Sequence, residues 1–154
     1  MIIAPKGPRC SCGAPGCFEA LASGSALARA GREAAAAQPS SLLAQQPAET
    51  ITARDIVAAA RQGDSLALTL LEREATWLGI GFSNLAHLYS PQAIVMGGGV
   101  SQAFDLLHEN IASTFRASAM LPFHDTKIVA AKLGDNAGLA GAAALVWAKE
   151  GITG

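Results

Sequence analysis

The sequence predicts an α/β domain with helices packed on a parallel or mixed sheet, and three observations carry that expectation. The second half alternates: an apolar run of strand length at 93–96, a helical stretch at 101–119, a second apolar run at 127–131 and a helical stretch at 137–149. Between residues 65 and 89, Leu71, Ala75, Leu78, Phe82, Leu85 and Leu88 recur at three- and four-residue steps, the period of a long amphipathic helix. Apolar residues make up 51% of the 154 residues and charged residues 15%, a balance that excludes wholesale disorder and permits a core without disulfides.

The elements follow in order. Met1 to Ile3 is an apolar stub, read as the end of a strand, and residues 4–17 form a loop rich in Pro and Gly. Residues 18–37 read as helix with an irregularity at Ser23-Gly24-Ser25, and residues 38–49, with Pro39 and Pro47, as a flexible linker. Thr50 or Thr52 caps a helix running to about Gln62, which Gly63-Asp64 breaks. The long helix begins at Ser65 and ends before Pro91. Residues 93–97 and 127–131 are expected as adjacent strands, with the helices from Ser65, Ser101 and Ala137 packed on them. Gly134-Asp135-Asn136 is a turn, with Asp135 read as a turn or cap residue. Trp77 and Trp147 read as core or interface anchors, and Asn84 and His87 as satisfied or exposed helix positions.

Charge narrows the partners. Eleven Lys and Arg against twelve Asp and Glu leave a formal charge of −1, which argues against nucleic acid or an anionic membrane. The N-terminus has no apolar segment of the secretory kind. The longest stretch free of Asp, Glu, Lys and Arg, residues 75–104, is broken by Asn84, His87, Pro91 and three glycines before it reaches membrane-spanning length. A cytoplasmic location, where thiols stay reduced, is the expectation.

In that setting the three cysteines point to a metal. Cys10, Cys12 and Cys17 lie on one loop turned by Gly13 and Gly16, and an odd, tight cluster of thiols suits a tetrahedral zinc better than a disulfide framework. The bland alternative is a set of unpaired cysteines. Three ligands leave a structural site open, and His87, His108 and His124 all lie far along the chain.

The run Cys10-Ser-Cys12-Gly-Ala-Pro-Gly-Cys17-Phe-Glu19 resembles the zinc motif of the ROK family, which comprises bacterial sugar kinases such as glucokinase and sugar-responsive repressors. The following residues 20–29 resemble the kinase members, and the similarity continues through Gly97-Gly98-Gly99 to the segment 134–143. The resemblance implies the C-terminal half of a ribonuclease-H-like, actin-like ATPase fold, with a zinc-binding loop at 1–17 and the C-terminal kinase domain at 18–154. It implies structural zinc on Cys10, Cys12 and Cys17, sugar contact by Glu19, and nucleotide contact by Gly97, Gly98 and Gly99 and, more weakly, Gly134 and Gly138. ATP with Mg²⁺ and a hexose are the implied substrates. Two family features do not appear in the sequence: the Gly-His pair whose His is the fourth zinc ligand aligns just before Met1, and no Asp-x-Gly-x-Thr phosphate loop occurs. The family's catalytic Asp belongs to the N-terminal domain that carries that loop, so no catalytic residue is assigned here.

Physical readings stand beside these. Glu19 also suits the first turn of a helix electrostatically, and a glycine run between strand and helix also serves as a plain tight turn. The expected function is part of an ATP-dependent hexose kinase; the alternatives are part of a sugar-responsive repressor or a non-catalytic zinc-binding module. Without a matched base the chain alone is expected not to turn over. Apolar surface left uncovered is expected to make it a homo-oligomer.

Overall fold

The computed structural model describes residues 1–150, with the Asp135 and Glu150 side chains outside the described residues. Eight regular elements follow in order: α1 (Phe18–Leu21), α2 (Gly24–Ala35), α3 (Ala53–Arg61), α4 (Ser65–Tyr89), β1 (Ala93–Met96), α5 (Phe104–Ser118), β2 (Lys127–Ala130) and α6 (Ala137–Glu150). The strands pair in parallel, Ala93 opposite Lys127 and Met96 opposite Ala130, as their alternation with helices predicts.

The long helix α4 is the spine. Asp64 caps it, its Oδ1 accepting from the Ala67 amide at 2.9 Å, and Ser90, in the left-handed conformation at φ 46°, ends it just before Pro91. Leu71, Ala75, Leu78 and Phe82 form its buried stripe, while Leu88 at the end of that series is exposed. Leu107, Ile111 and Phe115 of α5 share one core with them, and Ile94, Met96 and Ile128 join it from one face of the sheet. Phe18 lies edge-on to Phe82, over Gly81, where any Cβ would meet the Phe18 ring at 2.3 Å.

Four expectations are corrected. The helix read over 18–37 is two helices, because Ser23 recaps the chain by accepting from the Ala26 amide at 3.1 Å. Residues 38–49 are not a flexible linker: Leu43 is buried in the core, and Asp64 accepts from the Ser41 hydroxyl at 3.0 Å and the Leu42 amide at 2.7 Å. The helix read from Ser101 starts at Phe104, after a tight helical turn over Gly99–Ala103. The helix α6 forms but does not pack on the sheet: Leu139 is 77% exposed, Leu145 74% and Trp147 57%. Its sequence is apolar on every side, so no single stripe directs it to one neighbour, and Trp147 is exposed and does not belong to the core. Val95 and Val129, on the sheet's second face, are exposed as well, whereas parallel sheets are ordinarily covered on both faces.

Candidate functional site

The cysteine loop is built by its backbone. The Cys10 amide donates to the Ala14 carbonyl and the Gly13 amide to the Cys10 carbonyl, both at 2.9 Å, closing a tight turn around Cys12. Gly16, at φ +67°, accepts from the amides of Ile3 and Ala4 through its carbonyl; a Cβ there would lie 1.5 Å from the Ala4 carbonyl oxygen, so only glycine fits. These bonds bring the three thiols together, with all sulfurs within 4.8 Å of one another and Cys12 and Cys17 at 3.5 Å. Thiolates at tetrahedral corners, about 2.3 Å from a zinc ion, stand about 3.8 Å apart, so the cluster fits three corners of such a site. The amide of Cys12 lowers the Cys10 thiol, while the contact with Cys12 pushes Cys17 up to about 11. No histidine joins the group among the described residues; His87 instead accepts from the Met120 amide at 3.1 Å.

The loop feeds directly into α1. Cys17 precedes its first residue, and Glu19 stands exposed in its only turn. Arg29 of α2 donates to the Ala20 carbonyl at 2.7 Å, tying that turn to the next helix. Glu19 therefore projects from a turn pinned by the cysteine loop on one side and Arg29 on the other.

On the opposite side of the same hollow, β1 ends in Gly97, Gly98 and Gly99. Gly98 has φ +80°, and none of the three would place a Cβ closer than 3.8 Å to a neighbour, leaving open approach to the backbone. They sit at the C-terminal end of a parallel strand, where α/β folds bind ligands. Glu19, Gly97 and Gly99 line one cavity of about 340 Å³, floored by Phe18, Leu78 and Phe82. A larger cavity of about 630 Å³, walled by α3 and the turn after Gly98, shares Gly24, Gly99 and Val100 with it. Gly134, at φ +52°, turns the chain after β2 beside the turn after Gly98, and Gly138 lies exposed on α6; neither lines the two cavities.

One buried group escapes a motif reading. Glu74 of α4 is 3% exposed, and its Oε1 has no hydrogen-bond partner among the described residues. The signal was in the spacing, since position 74 lies three residues after Leu71 and four before Leu78, on the buried stripe.

A glycine turn at the end of a parallel strand and an exposed carboxylate lining the same cavity mark a candidate ligand site of the α/β kind. The chain belongs to the ROK family, whose sequence profile matches residues 1–149. It is 36% identical over 158 residues to a glucokinase of Thermotoga maritima, covering 100% of this chain and 49% of the relative. It is 30% identical to the transcriptional repressor Mlc of Escherichia coli, covering 94% of this chain and 35% of that protein. Among solved structures, a ROK glucokinase from Streptomyces griseus in complex with glucose and AMPPNP superposes with a TM-score of 0.84 at 37% identity, over 94% of this chain and 49% of that one. The fold is that of one part of these kinases, and the chain spans about half the length of the curated glucokinases it matches.

Proposed function

We propose that this chain supplies the sugar- and nucleotide-contacting half of an ATP-dependent hexose kinase of the glucokinase type. The observation that carries the reading is the pair of adjoining cavities. Glu19 lines the smaller one together with Gly97 and Gly99, and the larger one shares Gly99 and Val100 with it. Phosphoryl transfer needs the acceptor hydroxyl and the donor phosphates held side by side more than it needs covalent chemistry from the protein. Glu19 accepts hydrogen bonds from sugar hydroxyls, and the backbone amides of Gly97–Gly99 donate to the nucleotide, with Gly134 and Gly138 flanking. ATP, bound with Mg²⁺, supplies the phosphoryl group. The acceptor oxygen forms the new bond to phosphorus as the bond to ADP breaks, and the hydroxyl proton passes to a general base that these residues do not provide. The greater identity to the glucokinases than to Mlc supports a kinase over a repressor.

Cys10, Cys12 and Cys17 hold structural zinc in this reading, which fixes the approach to Glu19. No helix among the described residues is long and apolar enough to cross a membrane, in keeping with a cytoplasmic enzyme. Amide NMR of the 15.6 kDa chain tests the assignment. Glucose should shift resonances around Glu19, and ATP those of Gly97–Gly99; shifts confined to other regions, or none with either ligand, would overturn it.

A further inference from the structure

The larger cavity has largely aliphatic walls, and two arginines, Arg54 and Arg61, are among its lining residues. Val57 and Ala58 of α3 face Val100 and Ala103 of the turn after Gly98. Arg61, the last residue of α3, also lines the cavity. Its Nη1 and Nη2 donate to Oδ2 and Oδ1 of Asp105 at 2.8 and 2.9 Å, a parallel fork. Asp105 lies in the first turn of α5, directly after the turn that carries Gly99 and Val100. The pair therefore joins the two walls of the cavity. Both side chains are about half exposed, and an ion pair in that setting adds little to folding stability. Its geometry has another consequence. With the Nη edge engaged by the carboxylate, Arg61 has its flat guanidinium face and aliphatic stem left for the cavity. Those are the surfaces on which an arginine stacks against a planar aromatic ring. Asp105 also offsets the positive charge of Arg61.

Resting on the reading of this cavity as the nucleotide site, we infer that Arg61 forms the stacking wall for the nucleobase and that Asp105 is the positioning residue that sets its plane. A base held between Arg61 and the aliphatic wall directs the phosphates of the same nucleotide toward Gly97–Gly99. Selectivity for a nucleoside triphosphate over a bare polyphosphate then resides in this pair.

Calorimetry of the whole chain with ATP and with inorganic tripolyphosphate tests the assignment. Arg61→Ala and Arg61→Lys should each weaken ATP about tenfold, the size of one lost stacking contact, and leave tripolyphosphate within about twofold. Asp105→Asn should weaken ATP by a smaller factor in the same direction. The double exchange Arg61→Asp with Asp105→Arg restores an ion pair but moves the guanidinium to the other wall, and should stay as weak for ATP as Arg61→Ala. Rescue by the exchange would reduce the pair to a structural strap and overturn the inference. Equal loss for ATP and tripolyphosphate, or no loss for ATP, would overturn it too. A wild-type chain that binds ATP no better than tripolyphosphate removes the base site itself. Failure to bind either ligand removes the nucleotide reading beneath it.

Discussion

Glu74 shows what one side chain does to the behaviour of the domain. Burial pushes its carboxyl up to about 8 from 4.5, opposed by Arg73 and reinforced by the negative charge of Glu19. Its folded pKa lies above its unfolded value, so the native state binds the proton more tightly. Stability is therefore greatest below about pH 4.5 as far as this group is concerned, and declines as the pH rises through the window to about 8. Urea unfolding across that window should show the decline in wild type and a flatter profile in Glu74→Gln. At the alkaline end the variant should be more stable by something on the order of 3 kcal/mol. A profile unchanged by the substitution would mean that Glu74 is already charged and solvated in the native protein.

At the scale of elements, the cysteine loop and α6 respond to opposite kinds of perturbation. The loop has almost no apolar core of its own, so its order rests on its backbone bonds and, in the zinc reading proposed above, on metal. Protein prepared without chelator should carry zinc by elemental analysis, and Cys17→Ser should lose it along with part of the thermal stability. Gly16→Ala should destabilise the loop by more than the ~1–2 kcal/mol of a left-handed alanine, because its methyl also strikes the Ala4 carbonyl. Stoichiometric absence of zinc at intact thiols would refute the metal assignment. The apolar surface of α6 calls for cover, which a second copy of the chain provides in our reading. Sedimentation should show a dimer or larger assembly that Leu145→Glu shifts toward monomer; a wild-type monomer at micromolar concentration would contradict it.

These elements were not equally legible. The period of α4, the Thr52 cap of α3 and the two strands follow from local pattern, where each residue reports on its own neighbours. The ordering of residues 38–49 depends on Asp64, more than twenty positions from Ser41, and no local pattern carries that bond. The exposure of α6 is likewise a property of what surrounds it. In the site, the clustering of the cysteines was legible because three thiols within eight positions, on a loop turned by Gly13 and Gly16, are held close by the local backbone. The meeting of Glu19 with Gly97 and Gly99, and the Arg61–Asp105 pair across 44 positions, exist only once α4 and β1 have folded the chain back.

For the molecule as a whole, the parts present define what it should and should not do. In the proposed reading the two adjoining cavities take a sugar and a nucleotide, and no base at the acceptor hydroxyl is assigned among the described residues, a lack that commonly costs about 10²–10⁴-fold. In a coupled assay with ATP and glucose, the 154-residue chain should release ADP no faster than the background hydrolysis. Robust turnover abolished by Glu19→Ala would reveal a complete site.

Equilibrium binding of glucose tests the account most directly. Calorimetric titration of wild type and Glu19→Ala, each with and without AMPPNP, separates the two halves of the cleft. Glucose affinity should fall at least tenfold in Glu19→Ala, the scale of a lost charge-assisted hydrogen bond, with AMPPNP binding unchanged. Glucose bound equally well by both proteins, or by neither, would contradict it.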